Sequence, residues 1–534
     1  MAVLFLCRKE VEMQIGRKEL FTDVSKITYE NIIPILRDVF PRHQENANRI
    51  NFLLEYDAGN QPINRVKKYR SDIDCKCVDN VANEVTKFHV SFKWGNPITF
   101  VQRGERDSGK ENEPLAVCLL NECYESEEIR KKTQKLSRFV EVGGLGYTYV
   151  DVNTDYEDGD SFFKVEALDP RTTFVVKSSY YLDQRPMLGV TYRTDKHGNR
   201  HFTCFTKDLR FEIVNLTEIT NGKEINVKNP WKHKERSGEV NPLHAIPIIE
   251  WFRSYDRMGC FERQISEMDN LNLLISDFTN DVEQNTQALW HGNDVDFPKE
   301  IVKDEEGNEK EVVRKPKSGE WMLTYTPPEG KTPIVEPLSI NYDYTGMLNN
   351  IITRRALILQ KCNVPSRSDN SGGSTSLAMD SATGWNAAEI EANQQQNIME
   401  GCKMEEVKVV LKAIRISSDV PTDSPLLSLR YTDIQPSIKR VKNYELSTKV
   451  NFFATAVSHG IHGLHALKAM NVFEDVNQTW EDSRELIEAY QKSIFEKQDT
   501  NNEAVGGDGE KAPNSDRLSQ DFSDQTENSP NLKG

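Results

Sequence analysis

Apolar residues recur at helical intervals near the start of the chain. From Ile27 to Tyr56 they are spaced by three or four positions, which is the period of an amphipathic helix. Proline lacks the backbone N–H that a helix interior needs, so Pro41 predicts a break between two helices. From Phe88 to Phe100 apolar and polar residues alternate, which predicts a strand up to the turn Gly95-Asn96-Pro97.

The region from Asp57 to about Trp251 mixes helical segments with short strands. Beyond Val140 the apolar runs are separated by acidic turns, and Lys196-His197-Gly198-Asn199 has the composition of a hairpin turn. Short strands joined by tight turns pair antiparallel. The sequence therefore predicts an α+β fold that is rich in antiparallel strand pairs.

Three long helices are predicted in the second half of the chain. The first follows Gly259, runs for about thirty residues and is polar outside its apolar stripe. The second runs from about Tyr342 to Cys362, and the third is strongest from Asn386 to Ile414. A charged hairpin centred on Glu306-Gly307-Asn308 separates the first two helices. The polar tract NVPSRSDNSGGSTSLAMDSATGW (363–385) separates the last two.

The last part of the chain returns to short elements. LLSLRYTDIQP (426–436) predicts one alternating strand closed by a proline. Two helices, IKRVKNYELSTKVNFFATAVSHG and WEDSRELIEAYQKSIFEKQ, flank the short turn-and-helix HGLHALKAM. From about Asp499 the chain is rich in Asn, Gly, Asp and Ser and has few apolar residues, so we expect it to be disordered.

Length and composition limit the class of protein. At 534 residues the chain is too long for one hydrophobic core. A content of 37% hydrophobic and 28% charged residues is ordinary for a soluble globular protein. No run approaches the roughly 18 apolar residues of a membrane span, and the opening apolar run is too short for a secretory signal. We therefore expect a cytoplasmic product that makes no membrane contact.

The charge of the chain restricts how it could handle DNA. The formal net charge is -16, and a protein that grips DNA over its whole surface needs a basic stripe instead. An acidic protein can still handle DNA if the duplex has to slide past it without sticking. This second possibility remains open.

The nine cysteines are scattered and odd in number, which indicates free thiols in a reducing compartment. Cys75-Lys76-Cys77 has no second Cys or His pair at zinc spacing. His459, His462 and His465 could ligate a metal on one helical face. The interleaved Gly460 and Gly463 favour a helix corner with exposed histidines instead, so no metal or cofactor is predicted.

Catalytic motifs are missing from the sequence. Gly143-Gly144-Leu145-Gly146 could be a phosphate loop, but a strand follows it, without the Lys-Ser/Thr pair or the helix of such loops. A turn leading into a strand is the better interpretation. The chain contains no Ser nucleophile elbow, HExxH or kinase signature. The sequence therefore predicts that the protein is not an enzyme.

Six short segments stand in an order that is known from one protein family. They are ANRINFLLEYDAGNQPI, FHVSFKWGNPITF, GLGYTYVDVNTDYEDG with ALDPRTTFVV, IPIIEWF, FERQISEMDNLNLLISDFTNDVEQN and NVPSRSDNSGGSTSLAMD. Together they resemble the portal (head–tail connector) proteins of tailed bacteriophages, siphovirus type, over roughly Ile27 to Lys497. The long charged hairpin from Lys303 to Lys317 and the lack of a basic tail depart from the family's pattern.

The resemblance implies a domain layout. In chain order it gives N-terminal helices (1–56), an α+β wing (57–255), a first stem helix (256–290), a clip (291–340), a second stem helix (341–363), a tunnel loop (364–376), a long helix with a wing strand (377–437), a mainly helical crown (438–497) and a disordered acidic tail (498–534).

The resemblance also implies partners and a location. Portal proteins form homo-oligomeric rings, probably of 12 copies in this case, around a channel for double-stranded DNA at one capsid vertex. The expected partners are the terminase large subunit, the scaffolding and major capsid proteins, and the neck or head-completion proteins. We expect the protein in the virion after synthesis in the host bacterial cytoplasm. The first predicted long helix, which is polar outside its apolar stripe, is consistent with this assembly. Such a helix can pack against copies of itself in a ring.

The polar tract between the second and third long helices is the candidate DNA contact. A sliding duplex must meet groups that touch it weakly, because strong phosphate contacts would stall it. Arg367 can meet a phosphate transiently, and Asp369 opposes adhesion. The predicted tunnel-loop residues are Ser366, Arg367, Ser368, Asp369, Asn370, Ser371, Gly372, Gly373 and Ser374. A plain linker between two helices is the alternative.

Two other classes of protein were weighed. A nuclease or terminase subunit needs clustered catalytic carboxylates or a Walker A loop, and the sequence has neither. A non-catalytic oligomeric adaptor that is not dedicated to DNA passage remains the alternative function. A coiled-coil version of it should show sustained heptads, whereas each apolar stripe here lasts for one helix only.

Overall fold

A computed structural model describes most of the chain. The described residues are 16–64, 73–103, 113–180, 182–225, 235–286, 290–293, 299–303, 309–313, 334–337, 343–365, 384–440, 446–470, 472, 476, 478–489 and 492. They fall into two compact units, Met1–Val441 and Lys442–Gly534.

Helices make up the larger share of the described structure. They are α1 (Ile32–Asp57), α2 (Val81–Trp94), α3 (Glu113–Ser126), α4 (Ile129–Gly143), α5 (Ile265–Thr286), α6 (Tyr344–Lys361), α7 (Trp385–Ile416), α8 (Leu446–Ser458) and α9 (Gly463–Met470). Three short 3-10 turns accompany them at Glu262–Gln264, Pro425–Leu427 and Tyr431–Asp433.

The strands are short. They are β1 (Leu20–Thr22), β2 (Thr99–Gln102), β3 (Leu145–Val152), β4 (Phe163–Leu168), β5 (Thr173–Ser178), β6 (Pro186–Thr194), β7 (Arg200–Phe205), β8 (Leu209–Val214), β9 (Glu218–Ile219), β10 (Lys223–Ile225), β11 (Glu235–Ser237), β12 (Glu239–Val240), β13 (Ile248–Phe252), β14 (Trp290–Asn293), β15 (Lys299–Lys303), β16 (Glu309–Val313), β17 (Ile334–Pro337) and β18 (Ile434–Ser437). The fold class is therefore α+β, which confirms the prediction.

The largest sheet has the strand order β1-β5-β6-β7-β8-β12, with β9 paired to β8. β1 runs parallel to β5, and the other neighbours are antiparallel. The first half of α1 packs on this sheet, where Ile32, Leu36 and Phe40 share a buried core with Phe174 and Phe202. β1 was not predicted, since its partner β5 lies far along the chain and three residues carry no periodic signal.

A second sheet, β13-β3-β4, supports the longest helix. Val407, Val410 and Ile414 of α7 are buried in one core with Val150 of β3 and Phe163 of β4. The sheet thereby fixes the C-terminal half of α7. Gly144 has a positive φ of 75° between α4 and β3, so the glycine-rich segment is the predicted turn into a strand.

The predicted break at Pro41 is wrong, because α1 continues through it. Each half of α1 buries apolar side chains in a different core. Phe40 belongs to the core under the large sheet, whereas Leu53 and Tyr56 belong to a core with Phe261. Burial on both sides offsets the hydrogen bond that proline cannot donate.

The predicted strand from Phe88 is also wrong. α2 includes Phe88 to Trp94, and the strand begins only at Thr99. The buried positions Val85, His89 and Phe92 repeat at helical spacing. From Phe88 to Trp94 apolar and polar side chains alternate, and over so few residues this alternation resembles the pattern of a strand.

Two other local predictions have different outcomes. The hairpin turn at 196–199 is confirmed, because β6 and β7 pair from Gly189 opposite Phe205 to Thr194 opposite Arg200. The single strand predicted for 426–436 is wrong. Two 3-10 turns occupy part of that segment, and only β18 pairs, antiparallel to β2.

The unit Lys442–Gly534 is helical where the structure describes it. α8 and α9 pack through Val457 and Ala466, and residues 478–489 form a further helical segment that includes the buried Trp480. The side chains of His459, His462 and His465 are exposed, as predicted. The predicted disordered tail, 498–534, lies outside the described residues.

Candidate functional site

The first of the two long helices that flank the candidate clip is shorter than predicted. α5 has 22 residues instead of about thirty, because a 3-10 turn precedes it and Trp290 belongs to β14. Its apolar stripe packs against α6. Met268 and Leu271 of α5 are buried in one core with Ile358 of α6.

The polar face of α5 is covered by the chain's own residues 73–79, called the strap below. Asn272, Ser276 and Asn280 stand four residues apart on α5, and all three are buried. They accept hydrogen bonds from alternate backbone amides of the strap: Asn272 Oδ1 from Asp79 (2.9 Å), Ser276 Oγ from Cys77 (3.0 Å) and Asn280 Oδ1 from Cys75 (2.7 Å). Asn280 also donates to the Cys75 carbonyl at 3.2 Å.

The strap changes the interpretation of α5. The sequence suggested that the polar face needs copies of the helix in a ring. Since buried polar groups must be hydrogen-bonded, the strap satisfies these side chains within one subunit. The polarity of α5 therefore gives no argument for self-assembly.

α6 presents the opposite surface. Ile358 is its buried residue, while Leu348, Ile352 and Leu357 are 46%, 56% and 47% exposed. Arg355 ties the helix to Asp79, where its Nε donates to a carboxylate oxygen at 2.9 Å. α6 is thus held at Arg355 and Ile358, near its C-terminal end, and leaves apolar side chains partly in solvent.

The predicted tunnel-loop residues, 366–374, lie outside the described residues. The structure describes the chain up to Pro365 and again from Gly384. Gly384 has a positive φ of 88°, and a β-carbon placed on it would lie 3.9 Å from the Cα of Pro365. The described residues on either side of 366–383 therefore lie at one place, called the loop base below.

The last residues before the loop base are held by hydrogen bonds. His89 Nε2 donates to the Cys362 carbonyl at 2.9 Å, and the Val364 amide donates to the Leu359 carbonyl at 2.9 Å. Asn363 has a positive φ of 55°, and its Nδ2 donates to Glu391 Oε2 at 2.8 Å. Because Glu391 lies on α7, this bond joins the two sides of the loop base directly.

Glu391 belongs to a buried group of four charges, the base cluster, which also contains Lys93, Glu141 and Arg253. Lys93 Nζ lies 3.0 Å from Glu391 Oε1 and 3.7 Å from Glu141 Oε2. Arg253 Nε donates to Glu141 Oε2 at 3.0 Å, and a second guanidinium nitrogen pairs with Glu391. Two cations thus balance two carboxylates.

Neutral side chains complete the base cluster. Trp94 Nε1 and Gln395 Nε2 donate to Glu141 Oε1 at 3.0 and 2.8 Å, and Lys93 donates to Gln395 Oε1 at 2.6 Å. The Lys93 and Glu141 side chains are 3% and 0% exposed. Buried ions are stable only when paired and hydrogen-bonded, so each member depends on the others.

The base cluster controls the ionisation of its members. Burial opposes the charge of Glu391, but Lys93 and Arg253 outweigh burial and lower the pKa of Glu391 to about 2. Burial likewise opposes the charge of Glu141, and the same two cations hold its pKa well below the usual range. Burial and then the charge of Lys93 lower the pKa of His89 to about 4. The imidazole is therefore neutral at pH 7.

A cavity of about 610 Å³ opens beside the loop base. Lys361 and Asn363 line it from the end of α6, and Glu391 and Gln394 line it from α7. Arg253 of the base cluster also lines it, so Arg253 and Glu391 border the cavity while Lys93 and Glu141 do not.

Neither a metal centre nor a membrane segment emerges from the described structure. Within it, no group of three or more His, Cys, Asp and Glu residues could hold a metal ion. Cys75 Sγ donates to Glu283 Oε2 at 3.3 Å, and Cys77 Sγ lies 3.6 Å from Thr279 Oγ1. No described helix is both long and apolar enough to cross a membrane.

Sequence reasoning missed the base cluster and the strap. Lys93 and Glu141 stand inside the apolar runs SFKWG and RFVEVGG, and a charge in such a run is a usable signal of a buried ion pair. Their partners Arg253 and Glu391 have no such signal. Only the tertiary structure brings the four residues together.

An α+β body, two helices packed on each other and a long helix beyond a loop with a closed base follow the order expected of a phage portal protein. The model of one family, described as phage portal protein, SPP1 Gp6-like, matches residues 36–493. Because this match spans most of the chain, the protein belongs to the SPP1 Gp6-like family of phage portal proteins. No curated protein matches the chain.

Family membership confirms the resemblance seen in the sequence. The chain has the role of a phage portal protein, a component of the capsid's head–tail connector, and its family is structural rather than catalytic. The family also implies self-association and association with the capsid and the terminase.

Proposed function

We propose that about a dozen copies of the chain form a closed ring at one capsid vertex, around a channel for double-stranded DNA. The terminase packages the genome through this channel, the genome is later ejected through it, and neck proteins assemble on the ring. α5 and α6 serve as stem helices, residues 291–340 as the clip and residues 438–497 as the crown. Segment 364–376 is the tunnel loop.

The exposed stripe of α6 supports the ring. Leu348 and Ile352 stand four residues apart on one face of α6, and each is about half exposed in the single chain. Burying such side chains contributes about 1.5–3 kcal/mol each. A neighbouring copy that covers the stripe removes it from water at every subunit contact.

The closed loop base is the observation that carries the tunnel-loop assignment. A linker is needed where two elements lie apart, whereas Pro365 and Gly384 meet. Residues 366–383 are therefore more than the short gap between these ends requires. Its small, nearly uncharged residues suit a weak and transient contact with a sliding duplex.

Deleting Ser371 to Ser374 tests this function. Since the loop base is closed without these residues, we expect the loss to cost about 1 kcal/mol or less in folding stability. Ring yield in electron micrographs should stay near that of the wild type, while packaged DNA in proheads should be short or should leak. The matched control replaces the same four residues by alanine, which keeps the length of the segment.

Each outcome has a definite meaning. Poor rings from the deletion and normal rings from the alanine variant would show that the segment is a linker. Normal rings with full-length, stably held DNA in the deletion variant would remove the loop from DNA handling. Monomers of the wild-type chain at high concentration across salt conditions would contradict the ring itself. Wild-type rings that package no DNA would favour an oligomeric adaptor.

A further inference from the structure

The base cluster joins five parts of the fold at one point. Lys93 comes from α2 and Glu141 from α4, Arg253 follows β13, and Glu391 lies near the start of α7. Asn363, just after α6, is the fifth contributor and bonds to Glu391 at 2.8 Å. No other contact between described side chains joins Asn363 to α7 so directly.

Burying the charges of the base cluster costs free energy unless each charge lies next to its partner. The cluster is therefore stable only when its side chains keep their relative positions. The Glu141 carboxylate is 0% exposed, so it stays poorly compensated when one of its cations is lost. Glu391 is shared by Lys93, Arg253 and Asn363, so a shift of α7 against α6 would break contacts on several sides together. An apolar junction would tolerate small shifts far better, since the hydrophobic effect has no direction.

We propose that Lys93, Glu141, Arg253 and Glu391 are positioning residues that fix the end of α6 against the start of α7. Through Asn363 they set the distance and direction from which segment 366–383 departs and returns. The consequence for DNA rests on the proposed function, whereas the positioning itself does not. Every subunit of a ring would then present the segment in the same orientation.

Lys93→Met tests the charge balance of the base cluster. We expect amide hydrogen exchange in residues 362–365 and 385–391 of the full-length protein to become about a hundredfold faster. The matched control is Lys403→Met. Lys403 is an equally buried lysine on α7, and its Nζ lies 2.5 Å from Glu406 Oε1. This control should lower stability without a selective change at the loop base.

The double variant Lys93→Met with Glu391→Gln removes one charge of each sign. Arg253 and Glu141 then remain as a balanced pair, so exchange at the loop base should return part of the way to the wild-type rate. A role of Lys93 through packing alone predicts no such rescue. Failure of the double variant to slow the exchange would overturn the proposal.

Asn363→Gly tests the hydrogen bond between Asn363 and Glu391 by itself. It can contradict the proposal even if Lys93→Met does not fold. Glycine accepts the positive φ of residue 363 without strain, so only the side-chain bond to Glu391 is lost. Exchange at 362–365 should rise about tenfold while the rest of the chain keeps its rates. Unchanged exchange at 362–365, or an equal rise in Lys403→Met, would contradict the proposal.

The same Asn363→Gly rings separate this inference from the proposed function. Faster exchange at the loop base with defective DNA retention supports both. Faster exchange with full-length, stably held DNA supports the positioning role and contradicts the tunnel-loop function. Unchanged exchange overturns the positioning role whatever happens to the DNA.

Discussion

α5 and α6 are adjacent helices, and they differ in which kind of surface the rest of the chain covers. α5 turns Asn272, Ser276 and Asn280 toward the strap, so its polar side is buried. α6 leaves Leu348 and Ile352 about half exposed, so part of its apolar surface remains in solvent. The difference shows that the polarity of a helix face does not reveal whether that face is exposed to solvent or covered by the rest of the chain. Of these two helices, as far as the structure describes them, α6 is the one that exposes more apolar surface.

Within one subunit, a substitution at the contact between α5 and the strap should lower folding stability more than a substitution on the exposed side of α6. Asn272→Leu leaves the Asp79 amide without its acceptor at 2.9 Å and Gln61 Oε1 without its donor at 2.6 Å. Two buried unsatisfied groups cost about 4 kcal/mol together. Chemical denaturation should measure this loss. Asn349→Leu on the exposed side of α6 is the control, and a similar loss there would contradict the comparison.

Acid should weaken the end of α6 and spare the strap. His89 has a pKa of about 4 in the fold, and an unperturbed histidine titrates near 6.5. Between these values the unfolded chain binds a proton that the fold does not, so the free energy of unfolding falls by about 3 kcal/mol as the pH drops. The contribution of the neutral His89 imidazole to folding stability is fully present above pH 6.5 and is lost by about pH 4.

Hydrogen exchange at 362–365 over this pH range checks the acid effect. Glu391 stays ionised throughout, since its pKa is about 2. His89→Gln should flatten the pH dependence at the loop base. His43 is the control, because burial also lowers its pKa to about 4 but it packs on Phe174 in another core. An equal flattening at 362–365 in His43→Gln would show that the effect is global.

The exposed stripe of α6 should matter only after assembly. Ile352→Ser changes a half-exposed side chain, so the fold of one subunit should lose about 0.5 kcal/mol or less. Each subunit contact should lose about 2 kcal/mol of apolar burial. The ratio of rings to monomers by light scattering tests this. Val240→Ser, at another exposed position, should leave the ratio unchanged. Equal ring yields from both variants would move the contact away from α6.

Periodic segments were predictable from the sequence, and long-range pairings were not. α7 was expected to be strongest from Asn386 to Ile414 and runs from Trp385 to Ile416, because apolar residues recur over many turns. The α2 prediction failed because alternation over a few residues fits a strand and a helix equally well. β1 and the strap are defined by partners far along the chain.

The candidate site was predictable only in part. The polar composition of 366–374 marked a loop, and its contact with DNA stays a prediction because these residues lie outside the described structure. Lys93 and Glu141 could have been flagged as charges in apolar runs. Which cation would meet which carboxylate depends on how α2, α4, α7 and the residue after β13 come together in the fold.

The meeting of Pro365 and Gly384 limits how far the segment between them can reach. Half of residues 366–383 must go out and half must come back, so the tip lies at most about 30 Å from the loop base at 3.3–3.6 Å per residue. Removing four residues shortens this reach by about 7 Å and moves neither helix. The number of residues in the segment therefore bounds how far the proposed tunnel loop can extend from α6 and α7, independently of the fold that carries it.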